Sequence, residues 1–381
     1  MDILALKMGI DTVAIQLGLV SIVATARRGH EVTTMVREIG STAVNTRRIR
    51  ALDELARTAA PDIAPSELSR KVAEIDALPP YHAVAFTSVL TGMACGAFSF
   101  LNSGGALEIL AATASGTLGQ ALRHHLVQGK LNQYAVFAIC ALFASATYFC
   151  FVELFAHSGI GSHPRHAAGL ISSVLFLVPG FPLISALLDF LKNETTVALS
   201  RFIHAAMLLL MSALGFFVVI ALIGFPNREA LPPEFAGVML LTLRSLASFI
   251  GAFGFAILFN GSYHNAFYVG LLAVLGNTIR LEMHDAGFPL PLTTFLGALA
   301  IGLTASLLRK WVNEPRISLT VPSVIMMVPG VYAFETLVLL GQDEILPALR
   351  TGILAIFLLG AMAVGLAVAR FMSDSEELRE H

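Results

Sequence analysis

Charge is scarce in this sequence. Only 13% of the 381 residues are Asp, Glu, Lys or Arg, against about 25% in an ordinary soluble domain. With 56% hydrophobic residues and a mean hydropathy of +0.76, the chain has too little charge to cover an aqueous surface, so most of it has a non-aqueous solvent. The net charge of −2 gives no basis for a nucleic-acid partner. Cysteine is equally scarce. Cys95, Cys140 and Cys150 all lie in apolar runs and read as small buried hydrophobes, neither a disulfide framework nor a metal site. No cleavable leader is evident, because Met1 to Gly9 is short and has no basic segment before an apolar one. Neither a Gly-Lys-Ser/Thr phosphate loop nor a catalytic triad is present, which argues against an enzyme and leaves no cofactor to place.

The charge that is present is unevenly placed. Residues 1–80 hold 10 Lys/Arg and 10 Asp/Glu, and the other 301 residues hold 14 and 16. The expected organisation is a cytosolic α/β segment at 1–80, a first membrane unit at 81–224, a second at 235–372 and a cytosolic tail at 373–381. In the first segment, Thr12–Gln16, Leu19–Ala26 and Glu31–Ile39 read as strands, with a turn at Arg28-Gly29-His30. Residues 47–59 then take helical spacing, with Ile49, Leu52, Leu55 and Ala59 on one face. A second helix starts near Pro65, buries Leu68, Val72 and Ile75, and ends before Pro79-Pro80. The cluster Arg47, Arg48 and Arg50 reads as a solvated helix start on the inner side, with anionic lipid headgroups as the alternative partner.

A membrane-crossing helix needs about 20 mostly apolar residues. Ten runs qualify: 81–101, 105–123, 133–156, 166–190, 201–224, 236–259, 264–283, 290–309, 318–340 and 348–371. The fold class is therefore an all-α polytopic membrane protein. The runs are too long and continuous for a β-barrel. Lys and Arg favour the loops that are inner if the N-terminus is inside: Arg123, Lys130, Lys192, Arg201, Arg309, Lys310 and Arg316. Arg165, Arg228 and Arg350 fall in outer loops, and Trp311 suits an interfacial ring. Both termini are then expected in the cytoplasm, with the lipid bilayer as the main partner.

The two sets of five spans echo each other. Val178-Pro179-Gly180 in span four recurs as Val328-Pro329-Gly330 in span nine. Leu118-Gly119-Gln120 with Arg123 in span two recurs as Leu275-Gly276-Asn277 with Arg280 in span seven. Asn102 and Asn260 each follow the first span of their half. Five spans per half is odd, so the second repeat is inverted, as in many secondary transporters. Pro-Gly at mid-span removes a donor and weakens the helix, so the carbonyls released there need protein, water or ligand. Placed in both halves, the breaks mark a midplane site formed around Pro179, Gly180, Pro182, Pro329 and Gly330.

Val178-Pro179-Gly180-Phe181-Pro182-Leu183, then Asp189, then Ser200-Arg201 opening the fifth span, resembles the threonine/serine exporter (ThrE) family. Asn260-Gly261 and Val328-Pro329-Gly330 resemble its smaller C-terminal module, so both modules are fused in one chain. Family members usually begin with a further helix carrying a basic-acidic signature, whereas this chain starts close to its strands. The resemblance implies ten spans in a bacterial inner membrane and export of small hydroxy amino acids driven by protons. Related split-chain members imply an alternative, export of a small dicarboxylate such as succinate. An uncoupled channel is a third reading that the sequence leaves open, as it leaves open a homo-oligomer.

Charged groups inside spans cost about 2.5–3.5 kcal/mol each on insertion scales, so each needs a reason. Asp189, at the inner end of span four, is a candidate for proton coupling or gating, with Arg201 as its partner or a surface anchor. Glu335, six residues beyond Pro329, is the candidate proton carrier in span nine. Asn102, Asn260 and Asn277 are candidate substrate or helix-break residues. Arg280 and Glu282 read as a local pair, with Arg280 as an alternative receiver for a substrate carboxylate. Arg244 is also available for such a group. Glu108 and Glu153 read as interfacial, and His204 as the one histidine well inside a span. His157, His163 and His166 share a loop and read as solvated, without the spacing of a helical metal site.

Overall fold

The computed structural model describes residues 2–18, 21–38, 44–61, 63–156, 166–223 and 235–373. A short helix, α1 (Asp2–Lys7), precedes three antiparallel strands, β1 (Thr12–Leu17), β2 (Ser21–Arg28) and β3 (Glu31–Glu38), in sheet order β1-β2-β3. Gly29 sits at φ +59° in the two-residue turn that joins β2 to β3, a conformation that favours glycine. Helices α2 (Thr46–Thr58) and α3 (Pro65–Asp76) follow. Asn45 caps α2 by accepting from the Arg48 amide, and Pro65 opens α3 at a position where its missing N–H is no loss.

The strands and helices lie where the residue patterns put them, but the buried faces are smaller. Leu55, Ala59 and Ile63 form a small core, supported by Leu4, Met8, Leu68 and Ile75. Leu52 and Val72 are exposed. Lys7 reaches across to the last carbonyls of α2, donating to Arg57 O (2.9 Å) and Ala59 O (2.7 Å).

The rest of the chain is a helical bundle. The first half comprises α4 (Val84–Leu101), α5 (Ala106–Gln128), α6 (Gln133–Ala156), α7 (His166–Val174), α8 (Gly180–Phe190) and α9 (Thr195–Ile223). The second comprises α10 (Gly237–Leu258), α11 (Tyr263–Asp285), α12 (Leu290–Val312), α13 (Arg316–Val324), α14 (Gly330–Gly341) and α15 (Ile345–Ser373). Helix α15 thus runs one residue into the expected tail. Among the described residues, seven helices are long and apolar enough to cross a membrane, or nine spans if each bent pair counts as one. The bent pairs are α7 with α8 (66°) and α13 with α14 (45°), each interrupted by one 3-10 turn before its Pro-Gly. The protein is a multi-pass helical membrane protein. Helix α5 is the run expected as a span that is not apolar enough, because it carries Glu108, Gln120, Arg123, His124 and His125.

The halves match element by element. Helices α5 and α11 are both 23 residues long, α7 and α13 both 9, and α9 and α15 both 29. Left-handed backbone recurs at Ser103 and Asn260, at Lys130 and Gly287, and at Asn193 and Asp343. Contacts recur as well. Gly215 of α9 lies against the backbone of Ala138 and Leu142, and its counterpart Gly365 of α15 lies against Phe295 and Leu299. One pairing read from the sequence shifts by a residue: the counterpart of Asn260 is Ser103. Asn102 instead closes α4, its side chain donating to Phe98 O at 2.7 Å.

Two further expectations change. Cys150 is exposed on the bundle surface, while Cys95 and Cys140 are buried as expected. Glu108 is buried beside Gly169 and is not an interfacial group. His157, His163, Arg165, Arg228 and the tail beyond Ser373 lie outside the described residues, and His166 opens α7.

A Cβ at position 215 would collide with backbone, which cannot yield as a flexible side chain can. Gly215→Val is therefore expected to destabilise the bundle by about 1–3 kcal/mol. Gly360→Val, which meets nothing within 4 Å, is expected to be neutral. Thermal unfolding in detergent checks the difference.

Candidate functional site

The two helix breaks share one backbone geometry. Val178 and Pro179 have φ/ψ of −64°/120° and −77°/56°; Val328 and Pro329 have −60°/129° and −76°/43°. In each, the valine leaves the helical region because a proline follows it. The Gly180 amide then folds back on Val178 O at 2.7 Å, and the Gly330 amide on Val328 O at 2.8 Å. The breaks also touch. A Cβ on Gly180 would meet Val328 and Ile325, and one on Gly330 would meet Val178 and Leu175. These contacts are reciprocal, each half offering the same positions to the other. Phe98 of α4 and Phe255 of α10 close the crossing edge to face, with centroids 5.9 Å apart.

Each break starts a new helix, α8 or α14, whose first amides have no intrahelical partner and whose dipole is positive at that end. Pro182 removes one such amide in the first half, where its counterpart Tyr332 keeps it. Glu335 lies one turn beyond Tyr332 and is half-buried; it and Arg280 both act electrostatically on the Tyr332 hydroxyl.

At the end of the bundle that carries the α/β segment, a cavity of about 670 Å³ opens between α2, α8, α12, α13 and α15. Ser185 and Thr320 line it, each five residues from the 3-10 turn or glycine of its break. Five residues of helix rise about 7.5 Å. The Ser185 hydroxyl is buried without a hydrogen-bond partner. Asp189 and Arg201, named from the sequence, both line the cavity and pair at 2.6 Å, Arg201 donating. Lys192, Arg309, Arg316 and Arg370 add positive charge.

The remaining candidates lie elsewhere. Asn260 clips three segments together: its amide donates to Asn45 Oδ1 (3.0 Å) and its oxygen accepts from the Tyr81 amide (2.8 Å). Asn277 is fully buried in α11, donating to Ser248 Oγ (2.8 Å) and accepting from Arg280 Nε (3.0 Å). The expected Arg280–Glu282 pair is replaced, because Glu282 and Asp285 both accept from Arg244 of α10. Among the described residues, Arg280 has no carboxylate partner. In the first half, Gln120 and Arg123 occupy the places of Asn277 and Arg280. There Arg123 stacks over Phe137 at 5.1 Å, and Gln120 Oε1 is buried without a partner. His204 meets the Tyr134 hydroxyl at 3.1 Å.

The threonine/serine exporter family (ThrE) matches residues 1–223, and a second threonine/serine exporter family (ThrE_2) matches residues 244–372. The chain belongs to the threonine/serine exporter family. In this exporter-family chain both modules are fused, and the first match includes the α/β segment and the short helix α1 that precedes the strands. No solved structure matches the chain.

Sequence reasoning missed how the α/β segment meets the cavity. Asp53 and Arg57 of α2 line it directly. Each arginine of the cluster in α2 has a protein partner: Arg47 covers the Tyr81 ring, Arg48 pairs with Asp76 (2.8 Å), and Arg50 donates to Glu314 Oε1 at 2.9 Å. Thr46 adds two hydrogen bonds to Phe259 O. The pattern of Asn45, Thr46 and Arg50 carries no signal for this, because the partners are more than 200 residues away.

Glu314 is buried in the loop between α12 and α13, while Arg50 is about a third exposed. Burial raises the Glu314 carboxyl above the ordinary carboxylate range, and Arg50 only partly opposes it. The sign follows. An acid with a raised folded-state pKa favours the docked state when protonated, so docking weakens as pH rises from the ordinary carboxylate value through the raised one. Glu314→Gln is therefore expected to keep the segment docked and remove that dependence. Arg50→Ala leaves a buried carboxylate without its partner and is expected to undock more. Hydrogen exchange of α2 against pH reads both.

Proposed function

We propose that this chain is a secondary exporter of small hydroxy amino acids, threonine and serine, driven by the proton gradient across a bacterial inner membrane. The observation that carries this reading is the pair of crossed Val-Pro-Gly breaks, in a chain whose family is the threonine/serine exporters. Two broken spans meeting at mid-bundle are how many secondary transporters build a substrate site, with half-helix N-termini facing an anionic group.

In this reading α5 is the tenth span. It equals α11 in length, and its polar residues face the protein where Glu108, Ser115 and Gln120 are buried. Five spans per half then invert the second repeat. The end with the α/β segment, the cavity and the C-terminal part of α15 is cytoplasmic, since the loop arginines concentrate there. Substrate enters by the cavity and passes Ser185 and Thr320 to the crossing. Asp189 with Arg201 gates the inner side, and Glu335 carries the proton on the outer side, at the position that Ser185 holds in the first repeat.

A second reading, export of a small dicarboxylate such as succinate, is favoured by one feature. The cavity is lined by Arg57, Lys192, Arg201, Arg309, Arg316 and Arg370 against Asp53, Asp189 and Glu314. A zwitterion has no net charge to meet that excess, whereas a dicarboxylate does.

Counterflow in proteoliposomes with threonine, serine and succinate, with and without a pH gradient, separates these readings from an uncoupled channel. Asp189→Asn and Glu335→Gln are expected to abolish pH-driven export but keep substrate exchange, which moves no net proton. Full pH-driven export in both variants would exclude these carboxylates as carriers. A periplasm-only reporter that is active after residue 60 or at the C-terminal end would contradict the ten-span topology.

A further inference from the structure

Because the halves match element by element, each residue of the bundle helices that lines the inner cavity has a counterpart in the other half, whereas Asp53 and Arg57 of α2 have none. The offset is 150 for α7–α9 against α13–α15, and 157 for α4–α6 against α10–α12, read from the shared element bounds and left-handed positions. The backbone is repeated but the charge is not. Lys192 corresponds to Gln342, Arg201 to Thr351, Arg309 to Val152, and Arg370 to Ile220. Arg316 corresponds to His166, and Ser185 to Glu335. Four of the cavity's permanent cations thus correspond to neutral residues in the other half, and Ser185 corresponds to an added carboxylate.

The packing differs in the same sense. On the inner side Leu366 and Thr320 line an open cavity. Their counterparts Phe216 and Leu170 are fully buried, and so are Val152, Ile220 and Leu339. Phe216 stacks edge to face on Phe334 of α14, centroids 5.3 Å apart. The cationic end has an open cavity where the matching positions Phe216, Leu170, Val152 and Ile220 of the other half are part of the core.

We propose that the inner cavity is a one-sided capture site for small carboxylates, and that the matching outer path has no such affinity. This rests on the proposed exporter function. The lining carries six cations, Arg57 included, against Asp53, Asp189 and Glu314, and a cleft with an excess of one sign of charge and low-dielectric walls focuses its field and raises the local concentration of a counter-ion. A carboxylate entering from the cytoplasm meets this field and, at its foot, the unpartnered Ser185 hydroxyl. When the crossing rearranges and the outer side opens, the same carboxylate faces Gln342, Thr351 and Val152 in place of the inner cations, with Arg280 as the one cation beside Tyr332 and Glu335 repelling the carboxylate until protonated. Capture inside and release outside then follow from side chains alone on a symmetric frame. Ordinary positive-inside placement explains cations on loops facing lipid headgroups, but not five of them lining one cavity.

The field is measured without reference to transport. Leu188→Cys, on the cavity wall, is modified from the inner side with an anionic and a cationic thiol reagent of equal size. The anionic reagent is expected to react on the order of tenfold faster at low salt, with the ratio falling towards one at 1 M salt, where screening acts within about 3 Å. The double change Arg309→Val with Arg370→Ile, which installs the outer residues, is expected to remove the preference. In inside-out vesicles it should raise the half-saturation for succinate on the order of tenfold, and in right-side-out vesicles leave it unchanged. Arg309→Lys with Arg370→Lys should behave as wild type, which separates charge from shape. A reagent ratio near one in the Leu188→Cys protein with its cavity arginines intact, an equal shift on both faces, or loss in the lysine variant overturns the proposal. If wild type transports none of the three solutes, the exporter function fails instead, and the thiol ratio still decides the field.

Discussion

A peptide group buried in hydrocarbon has to find a partner inside the protein. This constraint leaves few places where a membrane bundle can stop being helical, and here it is broken at two matching ones. Val178-Pro179-Gly180 and Val328-Pro329-Gly330 cannot continue a helix. They survive because each turns its glycine amide back on its own valine and packs against the other break. The crossing is close at both glycines: a Cβ on Gly330 would press on Leu175 and Val178, and one on Gly180 would lie tight against Ile325. The four half-helices, the short elements flanking them and the long helices α9 and α15 that pack on them are arranged around that crossing. It is also where helix ends, unpaired amides and polar side chains come within a few residues of one another.

On this repeated frame the chemistry is not repeated. Gln120 and Asn277 occupy equivalent places, yet one is unpartnered and the other is fully bonded between Ser248 and Arg280. Arg123 lies on an aromatic ring, while Arg280 lies against an amide. Cations crowd one mouth, and apolar side chains fill the other. The backbone is symmetric and the side chains are not.

Much of this was legible in the residues. The strands, helices α2 and α3, the broken spans and the Asp189–Arg201 pair all follow from local pattern. Periodicity, proline and glycine report on backbone within one turn, and the repeat reports on topology. What was not legible depends on contacts distant in sequence. Glu108 looked interfacial because its helix position is near an end, but tertiary packing buries it. Arg280 and Glu282 looked paired because they are close in sequence, but they point to different neighbours. The docking of α2 through Arg50, Thr46 and Asn45 joins segments more than 200 residues apart, and no local signal announces it. The cavity itself appears only when α2, α8, α13 and α15 are brought to one end.

The central claim is that the two breaks meet and must move against each other for transport. Val178→Cys with Val328→Cys tests it in native membranes. Both positions line the crossing, so mild oxidation should join them, and the joined protein should lose transport until reduced. Failure to cross-link, or a cross-linked protein that transports at the wild-type rate, would contradict the account.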